Sequence, residues 1–158
     1  MSSENVNLRL ALYEPDIPQN MGTILRLAAC LGLSADIIEP CGFPFSHSKL
    51  KRAGMDYLDA VDMTRHESWG AFQNTRGERM GRLILLTTKA EISYVEHEFQ
   101  PGDTLLLGRE SAGVPEFVHD AAQVRLTVPM VSGMRSLNVA VAAAMVAGEA
   151  VRQLSLKE

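Results

Sequence analysis

The segment from residue 137 to 147 constrains the fold more than any other part of the chain. Ten of its eleven residues are apolar, and only Asn138 is polar. A helix that is apolar on all sides must be covered on all sides. The uninterrupted apolar run covers residues 139–147, well short of the roughly 20 residues that cross a bilayer. We therefore predict a buried final helix over residues 136–154, capped by Ser136, and no membrane partner.

Short apolar runs alternate with helical patterns along the rest of the chain. The predicted strands are 8–13, 35–40, 60–64, 82–88, 104–108 and 124–129, and the predicted helices before the last are 21–32, 46–54, 66–74 and 114–122. Asn20 and Gly32 are expected to cap and end the first helix, and Ser46 and Gly54 the second. This alternation favours an α/β fold with a mostly parallel central sheet flanked by helices.

Length and composition indicate one globular domain over residues 1–158, with 46% hydrophobic and 22% charged residues. The first residues lack the pattern of a secretory signal. Cys30 and Cys41 show no disulfide spacing, so we expect buried or half-buried free thiols in a cytoplasmic protein. The four histidines match no zinc spacing, and no metal is expected. A net charge of −4 still permits a local basic patch that binds RNA.

Several common ligand motifs are missing. No two glycines are separated by a single residue, which excludes the dinucleotide fingerprint, and no phosphate-binding G-x-x-x-x-G-K-S/T loop is present. The stretch GRESAG (108–113) has one residue too many before its serine to form the hydrolase nucleophile elbow. A hydrolase is therefore disfavoured.

Three polar groupings remain, in PQNMGTILR (18–26), LLLGRESAGVP (105–115) and VPMVSGMRSLN (128–138). Taken singly, each has an ordinary structural interpretation. The first could be a helix cap with a surface cation, the second a solvated loop, and the third a cap. A cap does not explain why Asn138 interrupts an apolar block.

Taken together and in this order, the three groupings resemble the motifs of the SPOUT methyltransferase superfamily. The matching patterns are N-x-x-x-x-x-R (Asn20, Arg26), G-x-E-x-x-G-V-P (Gly108 to Pro115), and V-P-M followed by S-L-N-V (Val128 to Val139). Other segments, including LYEPDIPQNMG, IIEPCGF and KLKRAGMDY, look like the small subgroup that methylates the wobble nucleotide of tRNA. The resemblance covers nearly the whole chain.

This resemblance implies a single SPOUT-type domain whose C-terminal part, about residues 82–154, forms a deep trefoil knot. It implies a homodimer in which each active site draws residues from both chains. It also implies S-adenosylmethionine as cofactor, bound by loops that contain Leu86, Gly108, Val128, Met130 and Ser136.

The implied enzyme methylates the ribose 2'-hydroxyl of nucleotide 34, a cytidine or uridine derivative, in the tRNA anticodon loop. Arg26 would stabilise the developing negative charge, because a guanidinium is not deprotonated in proteins. Ser136 and Asn138 would orient ribose or cofactor, and Glu110 would hold the cofactor's amino-acid part or Arg26; Asn20 completes the catalytic set.

Contacts with RNA are expected from Lys49, Lys51, Arg52, Arg65, His66 and Arg135, although a solvated basic face would look the same in sequence. Two other functions stay open: 2'-O-methylation of another tRNA or rRNA position, and a non-catalytic RNA-binding module. The choice between cytidine and uridine, and the set of tRNAs, are not encoded in a recognisable pattern.

Overall fold

The computed structural model describes residues 6–52, 56–79 and 81–156, without the side chains of Lys49 and Arg52. Within these ranges the strands are β1 (Leu8–Tyr13), β2 (Ser34–Ile38), β3 (Asp62–His66), β4 (Leu83–Leu86), β5 (Ile92–Ser93), β6 (Asp103–Leu107) and β7 (Val124–Thr127). The helices are α1 (Pro18–Leu31), α2 (His47–Arg52), α3 (Trp69–Gly77), α4 (Glu116–Ala121) and α5 (Val139–Leu156). Short 3-10 turns cover Asp56–Asp59 and Tyr94–Glu96.

The described strands form one sheet in the order β3-β2-β1-β6-β4-β7-β5. Every neighbouring pair is parallel, which confirms the predicted α/β fold with a parallel central sheet. The chain runs from β1 through β2 to β3 at one edge of the sheet, whereas from β6 it runs to β7, toward the other edge. The crevice at such a switch point, beyond the carboxyl ends of the strands, is where open α/β sheets bind ligands.

Apolar side chains cover both faces of the sheet. All five residues of β6 are buried, as the unbroken apolar run predicts. On one face α1 and α5 contribute Ile24 and Val146 to the larger core cluster. On the other face α3 and α4 contribute Phe72 and Val118 to a second cluster. The sheet is therefore the middle of three layers.

Helix α5 begins at Val139 and, within a single chain, is buried along only one face, so all-round burial of this helix stays a prediction that requires a second chain. Its buried residues are Ala140, Ala143, Val146, Ala147, Ala150 and Leu154. Val141 and Met145, on the other side, are 49% and 40% exposed. The length and composition of α5 would also suit a membrane-spanning helix. Apolar helices in the core of globular proteins share both properties.

Helix α1 begins three residues earlier than predicted. Pro18 occupies its first turn, where a missing N–H costs nothing, and Ile17 at the N-cap supplies no side-chain hydrogen bond. Asn20 therefore lies inside the helix and is not the predicted cap. Gly32 ends the helix as predicted, with a left-handed φ of 69°.

Two other elements lie two to three residues later than predicted. The Ser68 hydroxyl caps α3 by accepting the Ala71 N–H, which fixes the start of this helix at Trp69. Strand β3 correspondingly runs to His66. The carbonyl of Ser46 accepts the first helical hydrogen bond of α2, from Leu50, as expected of a cap residue.

The predicted C-terminal residue of α2, Gly54, lies outside the described residues. Both cysteines are free, as predicted. Cys30 is exposed, however, because it lies on the solvent side of α1, and the expectation of burial is wrong for this residue. Cys41 is partly buried, and burial raises the pKa of its thiol to about 11.

Candidate active site

A cleft of about 860 Å³ lies at the carboxyl ends of β4, β6 and β7. Its walls are the loop after β4, the loop between β6 and α4, and the loop between β7 and α5. A cleft of this volume is in the usual range for a small-molecule site. The five residues predicted to hold a cofactor all line it: Leu86, Gly108, Val128, Met130 and Ser136.

A relay of side-chain hydrogen bonds joins three of the predicted catalytic residues at this cleft. Asn20 donates from Nδ2 to Oε1 of Glu110. Asn138 in turn donates from Nδ2 to Oδ1 of Asn20, over 3.1 Å. Glu110 follows β6 and Asn20 follows β1, so the switch between these neighbouring strands brings them together. The relay is a direct product of the sheet order.

Asn138 also caps α5. Its Oδ1 accepts the backbone N–H groups of Ala140 and Val141, at 2.8 and 3.2 Å. The prediction of Ser136 as the cap is therefore wrong, because the helix starts three residues later and Asn138 occupies the N-cap position. Ser136 remains in the loop, where it lines the cleft.

The carboxyl of Glu110 is held in a site that favours its protonated form. Partial burial raises its pKa, and the nearby carboxylate of Asp16 raises it further. Hydrogen bonds from the Val139 N–H and from Asn20 act in the opposite direction but do not cancel the rise. The pKa of Glu110 therefore lies above that of an ordinary surface glutamate.

Asp16, which the sequence interpretation missed, joins the loop after β1 to the loop after β6. Its Oδ1 accepts the Glu110 N–H at 3.2 Å, and its Oδ2 accepts the Ser111 N–H at 3.3 Å. The Ser111 hydroxyl also donates to Oδ2. Burial alone would raise the pKa of Asp16, but these hydrogen bonds, that of the Ser111 hydroxyl first, hold it below its usual value. The signal available in sequence was its place just after a buried strand.

Arg26 is not brought to the cleft within one chain. Its side chain is exposed, and the guanidinium carbon lies 4.8 Å from the ring centroid of Tyr57. This is cation–π distance. Arg26 lies in α1 downstream of Asn20, so the two predicted catalytic residues share a helix but not a site.

The predicted RNA-binding residues have different environments. Lys51 pairs with Asp59, and Arg65 pairs with Glu39 at 2.6 Å while stacking 4.0 Å from the Phe45 ring centroid. Both basic side chains are about half exposed. The side chains of Lys49 and Arg52 lie outside the described residues. Arg135 is exposed in the loop that enters α5.

His66 is buried, and its assignment to RNA binding is wrong. Its side chain is only 3% exposed, and Nε2 lies 2.8 Å from Oδ1 of Asp36. Asp36 is buried too and accepts two hydrogen bonds from Arg9. The ring of Phe72 packs edge-on against the imidazole. His66 thus belongs to a buried ionic cluster under α3, which sequence spacing did not reveal.

Among the residues that the structure describes, no group of three or more His, Cys, Asp or Glu side chains is arranged to hold a metal ion. The polar side chains that line the cleft include hydroxyls, the carboxylates of Glu110 and Glu116, the amide of Asn138 and the cationic groups of Lys89 and Arg109.

The sequence profile of the SpoU rRNA Methylase family matches residues 7–148. The chain belongs to the SpoU methylase family. The match includes all the strands described above and the part of α5 up to Gly148. The resemblance stated from the motifs is thereby confirmed.

A curated relative from Beijerinckia indica subsp. indica is 61% identical over 145 residues, which are 92% of this chain and 91% of the relative. That protein is a tRNA (cytidine(34)-2'-O)-methyltransferase. A solved structure concerned with the 2-OH methylation of C/U34 on tRNA is 43% identical, with a TM-score of 0.88. The alignment covers 96% of this chain and 99% of that one.

A more distant neighbour is an rRNA methyltransferase from Sinorhizobium meliloti solved with AdoMet bound. It is 24% identical with a TM-score of 0.81, and the match covers 98% of this chain but 59% of that one. At this identity the likeness shows a shared fold. The part of the larger protein that matches corresponds to the whole of the sheet described here.

Proposed function

We propose that this protein transfers a methyl group from S-adenosylmethionine to the ribose 2'-hydroxyl of nucleotide 34 in tRNA anticodon loops. The observation that carries the proposal is the relay from Asn138 through Asn20 to Glu110, the two ends of which line the cleft. This relay brings one residue from each of the three family motifs into hydrogen-bond contact. The activity carried by the relative from B. indica, at 61% identity, supports the same substrate.

The cleft suits this cofactor in chemistry as well as in volume. Leu86 and Val128 offer apolar contacts for an adenine ring, and the surrounding loop backbone offers donors and acceptors. Lys89 and Glu116 also line the cleft, so both charges of a zwitterionic amino-acid group can be matched. When bound, S-adenosylmethionine supplies a methyl group activated by its sulfonium.

Methyl transfer to a hydroxyl is an in-line displacement, for which positioning supplies much of the rate. Asn138 is held at both ends of its amide, so it offers a fixed polar group to the ribose, with Ser136 beside it in the same loop. The ribose hydroxyl is a weak nucleophile and gains from a positive charge near the developing alkoxide. Arg26 would supply this charge and remain protonated, and the hydroxyl proton would pass to water or to a neighbouring phosphate.

We propose a homodimer, because one chain leaves its own site incomplete. Arg26 lies outside the cleft of its chain, and α5 leaves Val141 and Met145 exposed beside the loop residue Leu137. Contiguous exposed apolar residues mark association surfaces. A second copy packed on α5 would cover this face and could bring its own Arg26 to the cleft.

The C-terminal trefoil knot is also proposed, over about residues 82–154. Strand β7 lies between β4 and β5, which are consecutive in the chain, and the segment after β7 leads back to α5 against α1. This order supports threading of α5 through the loops of the cleft.

Binding of tRNA would use Lys51, Arg65 and Arg135, which present exposed cationic groups. An anticodon loop offers the unpaired bases that RNA-binding proteins recognise. Phosphate contacts make such binding weaker as salt rises.

The function is tested by mapping 2'-O-methyl groups in RNA from a strain that lacks the gene. We expect the methyl group to be lost at nucleotide 34 of one or more tRNAs and restored by the gene in trans. Loss of a methyl group from rRNA or from another tRNA position would instead indicate a 2'-O-methyltransferase of the same superfamily with a different substrate. An unchanged methylation map, together with no binding of S-adenosylmethionine, would indicate a non-catalytic RNA-binding module.

A further inference from the structure

We propose that Asp16 is a positioning residue of the active site: its carboxylate fixes the backbone of residues 110–111 so that Glu110 meets Asn20. This inference rests on the proposed function and deepens it, because the fixed loop is a wall of the cofactor cleft. The motifs described above assign no role to Asp16 or to its partner Ser111.

Three donors converge on this one carboxylate. Two are the consecutive backbone N–H groups of Glu110 and Ser111, and the third is the Ser111 hydroxyl. The residues are 94 and 95 positions from Asp16 in sequence. A carboxylate that accepts several hydrogen bonds stays ionised and holds its donors strongly. The loop between β6 and α4 is thus tied to the end of β1.

Asp16 can hold this loop because its own backbone is fixed. The Pro15 carbonyl accepts a hydrogen bond from the Gly42 N–H at 2.9 Å. A Cβ on Gly42 would lie 2.8 Å from the Cβ of Asp16, so only glycine permits this approach. On the other side, the Glu14 N–H donates to the Ile38 carbonyl at 2.9 Å. The anchor of the loop is therefore the paired ends of β1 and β2.

The loop that Asp16 holds has little else to fix it. Gly113, with a left-handed φ of 59°, closes a short bridge with Arg109, and residues 110–112 between them are exposed. Glu110 must be placed accurately to accept hydrogen bonds from Asn20 and Val139. The Ser111 hydroxyl, considered above as a hydrolase nucleophile, has a different role: it donates to Asp16.

Two substitutions distinguish the effect of the carboxylate group from the effect of side-chain size. Asp16→Asn keeps the shape but removes the negative charge and replaces one acceptor oxygen with an N–H₂ group, which cannot accept the backbone N–H that it faces. Asp16→Glu keeps the carboxylate. The matched control is Asp62→Asn, since Asp62 also accepts a serine hydroxyl, that of Ser34 at 2.7 Å, on the exposed edge strand.

The first measurement is amide hydrogen exchange at Glu110 and Ser111 in the full-length protein. We expect exchange about 10- to 100-fold faster in Asp16→Asn, the factor that corresponds to loss of a hydrogen bond to a charged group. Asp16→Glu should restore much of the protection, and Asp62→Asn should leave it unchanged. Equal exchange in Asp16→Asn and wild type would overturn the proposal. So would a loss of protection in Asp16→Asn that is just as large in Asp16→Glu.

The second measurement is the pKa of Glu110, followed by carbon NMR of its carboxyl group. The charge of Asp16 adds to burial in raising this pKa. We therefore expect a lower Glu110 pKa in Asp16→Asn, and an unchanged Glu110 pKa in Asp16→Glu, which keeps the charge, and in Asp62→Asn. A Glu110 pKa that stays at its wild-type value in Asp16→Asn contradicts the inference.

The third measurement is titration calorimetry with S-adenosylmethionine, in which Asp16→Asn should bind about tenfold more weakly than wild type. Wild-type affinity in Asp16→Asn contradicts the inference. If the wild type binds cofactor but methylates no tRNA, the substrate of the proposed function fails while Asp16 is still tested by exchange and NMR. If the wild type binds and methylates normally but Asp16→Asn is unaltered, only the present inference fails.

Discussion

Asn138 donates a hydrogen bond to Asn20, which lies 118 residues earlier in the chain, over 3.1 Å. The same side chain caps α5 through its other amide atom. One residue therefore fixes the start of the last helix and links it to the first helix and to Glu110. This dual use explains why a polar residue interrupts the most apolar segment of the sequence.

The two uses of Asn138 can be separated by mutation. Asn138→Ala should lower the free energy of unfolding by about 1 kcal/mol, the usual effect of losing an N-cap, and should also reduce methyl transfer. Asn138→Ser keeps a capping oxygen but is too short to reach Asn20. We expect it to retain most of the stability and to lose activity, as measured by urea denaturation and by methyl transfer to tRNA. Full activity in Asn138→Ser would exclude the relay from the mechanism.

Arg26→Ala should abolish turnover while the affinity for S-adenosylmethionine changes little, because the proposed role of Arg26 is at the developing alkoxide of the ribose and not at the cofactor. The measurements are single-turnover methyl transfer and titration calorimetry. Arg152→Ala is the matched control, since Arg152 is an exposed arginine paired with Glu149 at the far end of α5. Retained turnover in Arg26→Ala would remove Arg26 from the mechanism.

Asp36 should be important for stability and not for catalysis. Burial raises its pKa, but hydrogen bonds from Arg9 and His66 outweigh burial and hold the pKa below its usual value. Asp36→Ala would leave Arg9 without its partner, and we expect a loss of about 3–5 kcal/mol in urea denaturation at neutral pH.

The pH dependence at Asp36 follows from the sign of its shift. A carboxyl whose pKa is lowered by folding stabilises the protein above its unfolded pKa, about 3.9, and this contribution is lost as the pH falls through the folded value. The difference in stability between wild type and Asp36→Ala should therefore shrink below about pH 4. A difference that is constant from pH 7 to pH 2 would contradict the assignment.

The exposed face of α5 should be a dimer interface. Val141→Glu places a charge in that face, and we expect light scattering to show a shift from dimer to monomer with loss of methyl transfer. Phe117→Glu is the control, because Phe117 is 58% exposed and lies on α4, which packs on the opposite face of the sheet from α5. A monomeric wild type at micromolar concentration would refute the interface.

Much of the fold could be predicted because strands buried on both faces leave unbroken apolar runs. Strand β1 was predicted with its observed bounds, and β6 within one residue at each end. Helix starts were less accurate, since Asn20, Ser68 and Ser136 are all capping types and only tertiary contacts decide which of them caps. Asn20 proved to be a helix residue whose amide serves the site.

Residues of the candidate site were predicted where they belong to a sequence motif. They were missed where only the three-dimensional fold brings them together. Glu110, Asn138 and the five cleft residues followed from short patterns. Asp16 and the buried pair of His66 with Asp36 depend on which strands become neighbours, and strand order is not a local property of sequence. Arg26 lies exposed outside the cleft of its own chain, so its proposed catalytic role requires the proposed second chain.

The most direct test of the central claim is methyl transfer by the purified protein to two otherwise identical tRNAs. One carries a ribose and the other a 2'-deoxyribose at nucleotide 34, and both are incubated with labelled S-adenosylmethionine. The account predicts one methyl group per molecule on the first, located at nucleotide 34 by mass spectrometry, and none on the second. Equal labelling of both tRNAs, or no labelling of either by protein that binds the cofactor, would contradict it.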